Sequence, residues 1–265
     1  MKNKEEFFVP YIKGSLGKNT KRTLKVFTLM VILITIGGAA IFSITQKPFK
    51  NSTFELSSET SITGVYHESP YPMLRVEIAE NTFKNILLLG FGKSGVNPFL
   101  KTIQKEEKNL HGKRLSIEGN LIYYNGKTLI QITSNEKIKL LDSPPVEIPE
   151  KQILDQVTVA GEIIDPKCYF GVMKPGKGKI HRSCAVLCIA GGIPPVLAST
   201  DNNGVAKYFL ITDTDGNAIN QEVLPFVGKP SRFSGIVEKF EDWHLLKIST
   251  DAIKPISAAS AYYSD

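Results

Sequence analysis

Hydrophobic and polar positions alternate in short bursts along most of this chain, after one long run that does not alternate at all. Val26 to Thr45 (VFTLMVILITIGGAAIFSIT) is twenty residues without a charge. At 1.5 Å per residue that length matches the roughly 30 Å hydrocarbon core of a bilayer. A soluble helix of this length would carry a polar stripe, and this one has none. Beyond it, Ser61–Tyr66, Met73–Ile78, Asn85–Leu89, Arg114–Tyr124 and Thr128–Thr133 read as strands punctuated by turn residues. Asn125-Gly126 is a hairpin turn. The one helical stretch, Asn97–Asn109, falls between the third and fourth strands. Five strands with a helix before the fourth is the order of an OB-type Greek-key barrel.

The order then recurs in Val157–Ile164, Pro195–Ala198, Tyr208–Thr212, Ser231–Phe240 and Trp243–Ser249. Gly112-Lys113 falls on Gly228-Lys229, Gly119 on Gly235, and Leu129, Ile130 and Ile132 on Leu245, Leu246 and Ile248, all at an offset of 116. Ile62 and Gly64 fall on Val159 and Gly161 at an offset of 97, so the second unit is 19 residues longer. Preserved alternation across both offsets indicates an internal duplication. The expected fold is mainly β: a transmembrane helix, then two OB-like five-stranded barrels, the second with a Cys/His-containing helical insertion. The expected domains are a basic tail (1–25), the span (26–45), the first barrel (46–140), a Pro-rich linker (141–153), the second barrel (154–256) and a polar tail (257–265).

Charge adds direction. The formal net charge is +6, and residues 1–25 supply +5 of it through seven Lys/Arg against Glu5 and Glu6. Residues 26–265 hold 25 basic and 24 acidic side chains, so the remainder is nearly neutral. The basic flank predicts an N-terminus in the cytoplasm and a periplasmic or extracytoplasmic remainder, anchored once in a bacterial inner membrane. A cleaved signal peptide with Gly37-Gly38-Ala39-Ala40 as its cleavage region is the alternative, but the apolar run exceeds an h-region of ~7–15 residues. A near-neutral exported barrel is not expected to bind nucleic acid, which wants a basic groove with stacking aromatics.

The extra residues of the second unit hold all three cysteines: Cys168, Cys184 and Cys188. A helix from about His181 would end at Gly191-Gly192 before Pro194-Pro195. On it His181, Cys184 and Cys188 share one face, with Cys168 expected to close the preceding strand beside them. One reading is a Cys₃His metal site suited to Zn²⁺, Cu(I) or iron. A second is a disulfide from Cys168 to Cys184 or Cys188 that staples the insertion and leaves one thiol over. A third is three thiols buried as small hydrophobes. Asp165 either forms the Asp-Pro turn or orients His181 as an outer-shell partner. Gly90-Phe-Gly-Lys-Ser94 is a turn and not a phosphate loop, because Leu87 stands where the first glycine is required. No Cys-x-x-Cys-His or Gly-x-Ser-x-Gly is present, and His67, His111 and His244 lack spaced partners.

The run Asp165-x-x-Cys168, His181-x-x-Cys184-Ala185-x-x-Cys188-x-x-x-Gly192-x-Pro194 resembles a segment of bacterial membrane-anchored extracytoplasmic tandem OB-fold-like proteins, a family of unassigned function. The likeness covers about residues 157–215, and Glu68-Ser-Pro-Tyr-Pro72 with Gly90–Gly95 is similar to its two-unit members. It implies location and fold without a reaction. The chain is also similar in layout to the haem chaperone of cytochrome c maturation, whose His-x-x-x-Tyr spacing is met only by His67 and Tyr71, in the front part of the chain. Outside this insertion no acid–base pair or nucleophile–base set emerges. The expected function is therefore a non-enzymatic accessory or assembly subunit of an envelope complex, plausible for a redox complex. The alternatives are a metal or haem carrier, or a thiol-redox protein using Cys168, His181, Cys184 and Cys188.

Overall fold

The computed structural model describes residues 17–45, 52–171, 173–201 and 203–257, so the basic tail up to residue 16 and the C-terminal tail from 258 lie outside the described residues. The chain divides into two units, 1–50 and 51–265. In the first, α1 (Lys18–Thr45) is one continuous helix that starts eight residues before the apolar run and buries none of its side chains. Among the described residues it is the one helix long and apolar enough to cross a membrane.

The second unit begins with a short strand, β1 (Thr53–Phe54). Then β2 (Thr60–His67), β3 (Met73–Ala79), β4 (Thr82–Gly90), β5 (Arg114–Tyr124) and β6 (Lys127–Ile132) close a barrel in the order β5-β2-β3-β4-β6. β6 returns antiparallel to β5 and runs parallel to β4. The hairpin residues Asn125 and Gly126 have φ of 49° and 82°, the two left-handed positions that an Asn-Gly turn supplies. β1 and β7 (Ile138–Leu140) add to the long strand β5. Where the sequence predicts one helix over 97–109, two short ones form, α2 (Asn97–Leu100) and α3 (Ile103–Glu106). Lys101 and Thr102 keep helical dihedrals between them, so the path is helical with its hydrogen-bond ladder interrupted.

The second barrel repeats this plan with β8 (Gln152–Ile164), β9 (Val196–Thr200), β10 (Ala206–Thr212), β11 (Ser231–Phe240) and β12 (Trp243–Pro255), closed as β10-β12-β11-β8-β9. β12 runs parallel to β10. The duplication is visible at the backbone. Gly119 is pressed against the Gln131 carbonyl and Gly235 against the Lys247 carbonyl, residues that again differ by 116.

Burial explains the continuous apolar runs. In β4, Ile86 and Leu88 fill the first barrel while Leu87 and Leu89 face the second. In β12, Leu246 and Ile248 fill the second barrel while Leu245 faces the first. Strands covered on both faces cannot alternate. Between the barrels lies a third core, built from Met73, Leu87 and Leu129 on one side and Leu210, Phe240 and Trp243 on the other. Trp243 Nε1 donates to the Asn85 carbonyl at 2.9 Å, Tyr71 Oη to the Ile211 carbonyl at 2.6 Å, and Arg75 pairs with Glu241 at 2.7 Å across this seam. The linker has neither helix nor strand over 141–151, and the Val146 amide donates to the Gly112 carbonyl at 2.8 Å.

Candidate metal centre

The insertion starts as β8 ends. Asp165 caps a short helix, α4 (Pro166–Phe170): its Oδ1 accepts the Lys167 amide at 2.9 Å, and Pro166 opens the first turn with its φ preset. Cys168 therefore does not close the strand, as the sequence suggests, but projects from this helix. The second helix, α5 (Gly178–Ala190), starts three residues before His181. Its inner face buries His181, Ala185, Cys188 and Ile189 against the seam and the second barrel.

Two triplets of potential ligands result. The sulfurs of Cys168, Cys184 and Cys188 lie within 4.8 Å of one another. Asp165, Cys168 and His181 satisfy the same limit. The expected Cys168/His181/Cys184/Cys188 set is thus resolved into two overlapping groups joined by Cys168, and Asp165 stands among the potential ligands instead of behind them. All three cysteines are free thiols. Asp165 Oδ2 and His181 Nε2 are buried and make no hydrogen bond. Unpaired buried polar atoms of this kind are costly, typically about 1–3 kcal/mol each, and here both belong to residues grouped with the Cys168 thiol.

The electrostatics agree with a crowded, partly buried cluster. The neighbouring Cys168 sulfur, then burial, then the Asp165 charge push the Cys188 thiol far above its ordinary range. Burial pushes Cys184 up, Cys168 adds to this, and Lys93 opposes it. Lys167 is held below its usual value by burial, against the pull of Asp165 and the cysteines. A deprotonated cluster in such a place needs positive charge close by, which a metal ion supplies. Glu162, raised by burial, accepts the Gly178 amide at the start of α5.

The first barrel closes the other side. Lys167 Nζ donates to the carbonyls of Gly90 and Gly92 at 2.9 and 2.7 Å. The Gly95 amide donates to the Gly191 carbonyl at 2.9 Å, and Gly191 has no room for a side chain against the Lys93 carbonyl. The sequence reads Gly90–Ser94 as a turn and assigns no role to Lys167. Its signal was the pair of glycine clusters, 90/92/95 and 191/192, which meet here.

The remaining histidines stand apart from the cluster. His67 is buried and stacked on Phe240 with ring centroids 4.7 Å apart, and burial lowers its pKa to about 4. Tyr71 is enclosed in the seam, so His67 and Tyr71 present no open face to a haem. His111 packs against His67 with centroids 5.2 Å apart, and His244 lies beside Phe209 at 6.0 Å. No family model matches the chain, and neither does any curated protein or solved structure.

Proposed function

We propose that this chain is a single-pass membrane-anchored, extracytoplasmic accessory or assembly subunit that holds a thiophilic metal ion between its barrels. The observation that carries the metal reading is the pair of orphaned buried atoms, Asp165 Oδ2 and His181 Nε2, beside three free thiols. Cys168 is the residue common to both triplets and is the central ligand of the proposal. Sulfur and imidazole donors suit Zn²⁺, Cu(I) or iron, and disfavour Mg²⁺ and Ca²⁺. Bound there, the ion supplies a rigid crosslink or an electron-transfer group. The anchor reading is supported by the length and apolarity of α1, and the cytoplasmic N-terminus by the basic residues before it. The subunit reading is supported by two barrels that share one buried core and offer a large outer surface.

Elemental analysis of the full chain purified in mild detergent with thiols protected tests the centre. About one thiophilic ion per chain is expected, lost in Cys168→Ser with the fold intact. A metal-free protein with three titratable thiols overturns it. A disulfide staple from Cys168 to Cys184 or Cys188 is favoured by the three sulfurs lying within 4.8 Å of one another, and would leave one titratable thiol. A particle that runs alone and monomeric after gentle extraction overturns the subunit role.

A further inference from the structure

The outer side of α5 is unlike its buried side. Ile180 and Leu187 are 85% and 56% exposed and lie two turns apart on one stripe. Phe91, held out between the two carbonyls that Lys167 grips, is 63% exposed, and Met173 is 46% exposed. Large exposed apolar side chains on one stripe of a helix ask for a cover. The charge around them is one-sided. Residues 81–105 contain four lysines and no Asp or Glu, and residues 166–200 contain five basic residues and no Asp or Glu. These two segments meet where Gly95 abuts Gly192. Lys93 and Lys179 are exposed on these segments, while Lys167 is buried beneath them.

The chain's own connectivity names the cover. The segment that follows α1 in the chain enters the second unit at β1. Phe54 packs at Gly171, 3.3 Å from where a β-carbon there would stand, so the tether arrives at the end of α4, beside Met173. We propose that the outer stripe of α5, with Phe91 and Met173, docks on the anionic lipid surface of the membrane that anchors the chain. Apolar side chains enter the headgroup boundary while the lysines face lipid phosphates, the arrangement of an interfacial amphipathic helix. This inference rests on the anchor of the reading above and is independent of the metal centre.

The test uses the full chain reconstituted in vesicles with brominated acyl chains, made either of phosphatidylcholine or of an equal mixture of phosphatidylcholine and phosphatidylglycerol. Ile180→Trp and Leu187→Trp are compared with Ile78→Trp, which is on the first barrel and 60% exposed in the wild type. The native Trp243 is fully buried and serves as the common background and the check on folding. Bromolipid quenching is expected at positions 180 and 187, stronger with phosphatidylglycerol, weakened by salt, and absent at 78. Adding Lys93→Glu and Lys179→Glu should weaken it about fivefold or more in the anionic vesicles. Absence of quenching at 180 and 187 in vesicles that have incorporated the chain overturns the proposal alone, as does equal quenching at 78 or shielding of these residues only when a second protein is added. Failure of the chain to incorporate at all overturns the anchor, and this proposal with it.

Discussion

In the first barrel the chain passes from its first strand to its second in five residues, 68–72, whereas the second barrel takes thirty-one, 165–195. Between the third and fourth strands the difference reverses, 23 residues (91–113) against 18 (213–230). One copy of the duplicated plan thus placed its α-helices in one connection and the other copy in another. Every cysteine lies in the longer of these connections. The β-hairpin that closes each barrel repeats the lesson at a single position. Asn125 and Glu241 both have positive φ, 49° and 52°, and are equivalent by the offset of 116. Asn125, whose side chain makes only one long bond across the seam, Nδ2 to Tyr208 Oη at 3.4 Å, tolerates that backbone cheaply in an exposed turn. Glu241 does not, and its carboxylate instead reaches Arg75 and Asn85 of the other barrel. A duplicated frame leaves one copy free to give up local comfort for contacts with its twin.

The largest expected break in this symmetry is at the seam. Trp243→Ala removes the biggest buried side chain and the donor to Asn85, and should cost about 3–5 kcal/mol in urea unfolding. Because the seam core belongs to both halves, both should melt in one transition; two separate transitions in the wild type would show that the halves are independent. Next is acid. His67 is neutral in the fold, with its pKa depressed to about 4 from 6.5. Its contribution is intact above about pH 6.5 and is lost as pH falls toward 4, where the loss approaches about 3 kcal/mol. Thermal unfolding against pH checks this, with His67→Leu expected to flatten that window. Glu241→Gln should cost about 1–2 kcal/mol through the ion pair with Arg75, and a double-mutant cycle with Arg75→Met should recover most of it as coupling. Asn125→Ala, at the equivalent but exposed turn, should cost about 1 kcal/mol or less; if it matched the Glu241 change, the seam contact would count for nothing.

Strand order and barrel type were legible because Gly-punctuated alternation and the Asn-Gly turn are local signals. The two-sided burial of Ile86–Leu89 was written there as well, as a run too apolar for a barrel with one wet face. Packing of the barrels against each other was not legible, since the pattern shows that a face is buried and not what buries it. At the candidate centre the cysteines and His181 were found from helical spacing. Asp165 reads as an Asp-Pro turn or an outer-shell partner of His181; it caps α4 through Oδ1, and spacing gives no sign that its Oδ2 is left free. The closing of Gly90–Gly95 over Lys167 pairs residues 75 and more positions apart. Spacing along a chain carries no trace of such a meeting.

The seam also limits how this molecule could be divided. Cutting the linker and expressing either half by itself would bare Met73, Leu87 and Leu129, or Leu210, Phe240 and Trp243, to water. Each fragment would inherit half of a surface evolved never to be seen. Two such pieces should be insoluble apart and recoverable together, so complementation of co-expressed halves would read out the strength of the junction without any ligand or partner.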